Sequence, residues 1–274
     1  MRVLTYNIQV GITSKRSRDY IMHGWKHLLP YPGRMRNLNA IGGFLEGFDV
    51  VGLQELDAGS LRSAYVDQAE YLALRGGFPY WASRTNRNLG HFARHSHGML
   101  ARMKPVEVLE HRLPSKIPGR GALELVFGDK QQSLGVISAH LSLSRRARAN
   151  QLAFLGDLVL AHQHVVVLGD FNCSAESPEI CELLTRTHLR PPLSSEPTYP
   201  SWKPARDFDQ ILVSEQLKPV DSQVHPLPYS DHLPVSVELA LPDALAEALK
   251  PDWPPRNRTP EEASSNAGNG VSVD

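Results

Sequence analysis

Val165, Val166, Val167 and Leu168 run without interruption into Gly169 and Asp170, with Asn172 two positions further on. Four apolar residues in a row suit a strand buried on both faces, and a carboxylate at the end of such a strand is costly unless a partner compensates for it. The segment therefore needs a layered core for its first half and a site for its second. Similar β-rich runs recur at 3–10, 49–56, 98–103, 122–128, 134–141, 209–214 and 234–241. Met35, Leu38, Ile41 and Leu45 share one stripe of a helix expected over 34–46, and Leu152, Leu155, Val159 and Leu160 share one over 144–163. Ser177 followed by Pro178 reads as the N-cap and first residue of the helix "PEICELLTRT". Strand runs separated by helices at only some connections predict an α/β fold of packed mixed sheets with outer helices, not a regular doubly wound sheet.

At 274 residues and 41% hydrophobic composition the chain can bury one large core. One domain is expected over 1–248, followed by a tail at 249–274 rich in Pro, Ser, Asn and Gly, in which disorder is expected. Lys plus Arg equals Asp plus Glu at 29 each, so no global field draws the protein to nucleic acid or to an anionic membrane. "MRVLTYNIQV" is a strand pattern without the apolar centre of a signal peptide, and no later run approaches membrane-spanning length. The expectation is a cytoplasmic monomer with no stable membrane anchor. Cys173 and Cys181 suit two reduced thiols better than a disulfide framework or a metal cluster.

Several strands end, or nearly end, on residues that a core cannot want: Asn7, Glu55, His140, Asp170 with Asn172, Asp209, and Asp231 with His232. Any one alone reads as a turn or cap that bonds to nearby backbone. If the strands lie side by side, four carboxylates, two amides and two imidazoles meet in one pocket, which then needs a cation. Oxygen donors without Cys select a hard ion, and few protein ligands with room for water suit Mg²⁺ or Mn²⁺.

The ordered set Asn, Glu, His, Asp-x-Asn, Asp, Asp-His in these contexts resembles the endonuclease/exonuclease/phosphatase superfamily from Asn7 to about Leu241. The resemblance implies a four-layer α/β sandwich, two facing mixed sheets flanked by outer helices, with the active site at one end of the sheets. It also implies a metal-dependent phosphoesterase, more specifically a phosphodiesterase. Glu55 would be the main metal ligand, helped by Asn7 and Asp231. Asp170 would activate the attacking water, Asn172 would bind a phosphate oxygen, and Asp209 would orient His232, which with His140 would face the phosphate. The chemistry is consistent: an anionic phosphoester repels hydroxide, so a cation and imidazolium donors on its oxygens, with an aligned base, lower the barrier.

His140 stands where apurinic endonucleases related to exonuclease III carry Tyr, which favours branches resembling DNase I, sphingomyelinases and deadenylases. "HSHGMLAR" resembles the family's "GNALLSR", with His97 in place of Asn. The substrate stays open among nucleic acid, phospholipid head group and small nucleotide. A binding module that kept the fold without catalysis is the rival class, disfavoured because every motif residue is present. Secondary candidates each carry a plainer reading. His91, His95 and His97 form a solvated loop or a zinc site. "SRRARANQ" is a solvated helix start or a basic patch. Arg120 is a turn residue or a phosphate contact. In the 11–33 insertion, Trp25 and Tyr31 pin the loop or stack on a substrate, and Trp25, Leu28 and Leu29 could form a membrane-insertion surface.

Overall fold

The computed structural model describes residues 1–14, 16, 25, 29–115, 119–191 and 196–250. The strands are β1 (Arg2–Asn7), β2 (Val50–Asp57), β3 (Tyr80–Asn88), β4 (Arg94–Ala101), β5 (Glu107–Arg112), β6 (Gly121–Gly128), β7 (Ser133–His140), β8 (His164–Asp170), β9 (Asp209–Val213), β10 (Lys218–Val224) and β11 (Val235–Ala240). The helices are α1 (Pro32–Leu45), α2 (Gln68–Gly76), α3 (Arg145–Val159), α4 (Pro178–Thr187) and α5 (Asp243–Leu249). One sheet has the order β10-β11-β1-β2-β4-β3 and the other β5-β6-β7-β8-β9. In each, one pair is parallel, β1 with β2 and β7 with β8, so four strand C-termini gather at one end of the molecule.

Alternation along each strand builds the layers. Val3 and Val50 of the first sheet meet Val136, Val166, Leu168 and Ile211 of the second in a core between the sheets. The opposite residues face outward: Leu4, Tyr6, Val51 and Leu53 pack beneath α1 and α2, and Ile137, Val165, Val167 and Leu212 beneath α3 and α4. Two sheets between two helical layers give the four-layer α/β sandwich that the sequence implied. Burying both faces of each sheet explains the uninterrupted apolar runs.

β3, β5 and β10 were not legible as strands. All three are sheet edges, where each side chain has water on at least one side and polar residues are tolerated. α2 carries ordinary helix signals that the periodicity reading passed over: Asp67 accepts from the amides of Ala69 and Glu70, and Gly77 closes the helix in a left-handed conformation. Ser177 and Pro178 begin α4 as expected, although the Ser177 side chain makes no capping bond. The expected tail at 249–274 lies almost wholly outside the described residues. Its first residue, Leu249, is buried and joins Leu245 of α5 in the core between the sheets. No helix of the described residues is long and apolar enough to cross a membrane.

Candidate active site

The strand periodicity that buries the core also aims the polar residues. Asn7 shares its face with Val3 and Thr5, His140 with Leu134 and Val136, Asp170 with Val166 and Leu168, and Asp209 with Ile211 and Val213. Each is the last or first residue of its strand on the face turned to the other sheet, so the core between the sheets ends in a ring of polar groups. Asp170 pairs in register with His140 on one side and Asp209 on the other. Asp231 and His232 arrive on the turn before β11, held by a Ser230 Oγ hydrogen bond to the carbonyl of Asn7 at 2.7 Å.

Asp170 is the centre. Its Oδ2 accepts from Asn7 Nδ2 at 3.0 Å across the two sheets. The same oxygen lies 3.4 Å from His140 Nε2 and 3.8 Å from His232 Nε2. Burial above all, then Asp209, raises its pKa against the opposing pull of His232. His232 keeps its proton: burial works against the charge, but Asp209 and Asp170 together outweigh it and raise the pKa well above the ordinary value. Its Nδ1 lies 2.7 Å from Asp209 Oδ2, which also accepts from Thr198 Oγ1 at 2.6 Å. His140 differs from the sequence reading, which gave both histidines a charge. Burial, reinforced by Arg120 and His232, lowers its pKa well below the ordinary value and leaves it neutral.

Glu55 reaches the ring through a break in periodicity. Val51, Leu53 and Leu56 all face the outer layer, whereas Gln54 bonds inward to Ser138. A bulge between Leu53 and Leu56, with Glu55 at φ 54°, turns two successive residues inward. There Glu55 takes a hydrogen bond from Asn7, and burial followed by the charge of Asp231 raises its pKa. A half-buried carboxylate beside another carboxylate is the environment a cation relieves. The oxygen donors Glu55 and Asp231, without a thiolate, therefore fit a hard divalent ion, while Asn7 turns its Nδ2 to Glu55 and Asp170 and its Oδ1 to Gln9 N at 3.1 Å and so positions the carboxylates. Among the described residues Asp170, Asp209 and His232 also bring one potential ligand atom each within 4.8 Å. Asp209 Oδ2 is engaged by both Thr198 and His232 and so orients the imidazole, while Asp209 Oδ1 is buried without a hydrogen-bond partner.

Asn172 stands at φ 53°, its amide N–H on Asp170 Oδ1 and one Nδ2 hydrogen on the carbonyl of Leu141. Cys173 is buried and its pKa raised, burial being the main cause, so the thiol stays protonated. The segment "TYPSWKPARDFD" builds the wall behind His232. The Tyr199 ring lies 4.7 Å from the imidazole, Leu233 N donates to the carbonyl of Thr198, and Ser201 N donates to that of Asp231. Sequence reasoning missed Thr198 and Tyr199; only Thr198 carried a signal, as a hydroxyl in a Pro-rich stretch preceding a strand-end Asp.

The secondary candidates disperse. His95 contacts Arg62 and His97 contacts Asn86, so the three histidines of the hairpin do not converge. Arg145 and Arg148 pair with Glu179 and tie α3 to α4. Tyr31 hydroxyl donates to the carbonyl of Gly11 and its ring meets Trp25 edge-on; Trp25 and Leu29 are each about half exposed, and Leu28 lies outside the described residues. Arg120 stands close enough for its charge to act on Glu55 and Asp170.

The sequence profile described as "Endonuclease/Exonuclease/phosphatase family" matches residues 4–232. Among solved structures, one described as an endonuclease/exonuclease/phosphatase from Beutenbergia cavernae is 21% identical, with 88% of this chain and 71% of that chain covered at a TM-score of 0.69. A mannosyl-6-phosphatase from Bacteroides thetaiotaomicron is 16% identical over 88% of this chain and 100% of that one, TM-score 0.66. Sphingomyelinase C from Streptomyces griseocarneus is 18% identical over 86% and 98%, TM-score 0.62. At these identities the likeness is one of fold. No curated protein matches the sequence.

Proposed function

The chain belongs to the endonuclease/exonuclease/phosphatase family, and from that premise we propose that it is a divalent-metal-dependent phosphodiesterase cleaving a P–O bond by direct attack of water. The arrangement around Asp170 carries the proposal: a buried carboxylate whose pKa burial raises, fixed by Asn7 and flanked by a charged His232 and a neutral His140. A carboxylate made more basic by its surroundings can take a proton from water in the transition state. His232, its Nδ1 held by Asp209, presents Nε2–H to the developing charge on a phosphate oxygen, and His140 Nε2 lies on the other side of the same carboxylate. Asn172 holds the turn and keeps its second Nδ2 hydrogen for the phosphate.

Glu55 and Asp231 would hold Mg²⁺ or Mn²⁺, which when bound supplies positive charge to the oxygens of the phosphate, and Asn7 would position Glu55 and Asp170 around it through its Nδ2. A diester suits the site better than a monoester dianion, because the pocket is lined by the carboxylates Glu55, Asp170, Asp209 and Asp231, and His232 and Arg120 are the cationic side chains that act on Glu55.

A second reading, hydrolysis of a phospholipid at a bilayer surface, is favoured by the rim. Tyr65 after β2, Phe92 between β3 and β4, and Leu143 after β7 all lie at the active-site end and are 63, 64 and 75% exposed. One panel decides between them: bis-p-nitrophenyl phosphate, p-nitrophenyl phosphate and sphingomyelin or phosphatidylcholine vesicles, each with Mg²⁺, Mn²⁺ or EDTA. Diester hydrolysis abolished by EDTA is expected. Full activity after exhaustive chelation, or a preference for the monoester, would sink the primary reading, and preference for vesicles with co-sedimentation would establish the second.

A further inference from the structure

His97 is a buried titratable group that the proposed reaction leaves unused. It lies on β4 opposite Arg84 of β3 and on the face that Met99 and Ala101 turn to the second sheet. Both neighbouring strands are irregular beside it: the β2 bulge places Gln54 and Glu55 against this point of β4, and β3 slips register at Asn86.

The hydrogen bonds around the ring fix its protonation by elimination. Arg84 Nε donates to Glu110 Oε2 at 2.9 Å and Arg84 Nη1 donates to Asn86 Oδ1 at 2.8 Å. A guanidinium has no acceptor, so the Asn86 atom facing it must be the oxygen. Asn86 Nδ2 therefore faces His97 Nδ1, 2.7 Å away, and has only hydrogens to offer. His97 Nδ1 must be bare, the ring neutral, and its one proton on Nε2. Burial acts in the same sense and lowers the pKa to about 3. His97 is 1% exposed, and Nε2 has no hydrogen-bond partner. A buried donor without an acceptor is unfavourable and rare in a folded chain. The Glu110–Arg84–Asn86 relay thus holds a neutral donor ready beside the Glu55 bulge.

We propose that His97 Nε2–H is a further substrate-binding donor that hydrogen-bonds a non-bridging phosphate oxygen held between the Glu55 and His140 strands. The proposal rests on the phosphoester reading of the site. A neutral donor suits this position, since a third charged group would repel His232 and the ion at Glu55. His97 stands close enough to His140 for the two rings to share one neighbourhood.

Two-bond ¹H–¹⁵N spectra of the histidine side chains, recorded on the intact protein with Mg²⁺ and titrated with inorganic phosphate, test it without any substitution. The expected result is an Nε2–H tautomer for His97 from about pH 5 to 8, with a resonance that moves saturably as phosphate binds. An Nδ1–H tautomer, or a resonance unmoved by saturating phosphate, would overturn it. In kinetics on bis-p-nitrophenyl phosphate, His97→Phe should lower kcat/KM by about 100-fold, the loss typical of one transition-state donor. His97→Gln, whose amide nitrogen reaches about as far as Nε2, should recover most of that loss; equal damage from both would mark a merely structural residue. Hydrolysis by the wild type with an unmoved His97 signal defeats this site alone, whereas a phosphate-induced shift in a protein that hydrolyses no phosphoester defeats the functional reading and keeps the site.

Discussion

Asp209 meets His232 through one oxygen that Thr198 also holds, so the three side chains act as a unit, while His140 stands on another strand. Removing the Asp209 carboxylate takes away both the orientation of the imidazole and the charge that keeps it protonated. Asp209→Asn and His232→Ala should each lower the turnover rate by about 10²–10⁴-fold. Their double variant should be close to the worse single, because the second change removes an interaction already lost. His140→Ala combined with either should be worse than both singles. Rates on the diester with saturating metal decide this, and multiplicative losses for Asp209 with His232 would show that they do not work as a pair. At this scale the sequence was informative where local rules conflicted. Asn7, His140 and Asp170 each stand where an apolar run ought to continue or turn, and a polar group in that place needs a reason. Thr198, Asn86 and the neutrality of His140 broke no local rule; they are defined by neighbours distant in the chain.

Between β7 and β8 the backbones approach so closely that a Cβ at Gly169 would lie 1.8 Å from the carbonyl oxygen of Ala139, and φ there is 146°. That contact keeps His140 and Asp170 in register. Gly169→Ala must push the two strands apart, at a cost of about 1–3 kcal/mol for overpacking before any backbone strain, and should lose activity along with stability. Gly43, inside α1, has nothing within 4 Å of where a Cβ would go. Gly43→Ala should therefore stabilise the protein by about 0.5–1 kcal/mol through helix propensity and leave activity unchanged. Urea midpoints of the two variants check the contrast, and a stable Gly169→Ala would disprove the close approach. Central strands and the amphipathic α1, α3 and α4 were legible as elements because burial on a defined face leaves a period in the sequence. Edge strands leave none, and a bulge such as that at Glu55 is invisible since it consists of a dihedral angle and not of a residue type.

Far from the active site, Glu124 of β6 joins the outer face of the second sheet to its edge and to the loop after α3. His111 Nε2 and His162 Nε2 each lie 2.6 Å from one of its carboxylate oxygens. Burial alone would raise its pKa, but these hydrogen bonds outweigh it and lower the value from 4.5 to about 2. The folded state thus binds the proton more weakly than the unfolded chain, so the stabilisation is complete above the unfolded value and is lost as pH falls from about 4.5 towards 2. Glu124→Gln should cost about 1–3 kcal/mol at neutral pH, and its deficit against the wild type should shrink through that acid window. A deficit independent of pH, read from denaturation midpoints, would remove the charge from the account. What the sequence determined by itself was the layered α/β class and the polar strand ends, because hydrophobic periodicity and the cost of burying a carboxylate act locally along the chain. The tertiary structure alone decided which of those ends face one another, which histidine is charged, and that His97 keeps an open donor. Those properties come from the register of two sheets and from the summed fields of groups distant in the chain, such as Asn7 and Asp170, 163 residues apart, and no segment of the chain contains them.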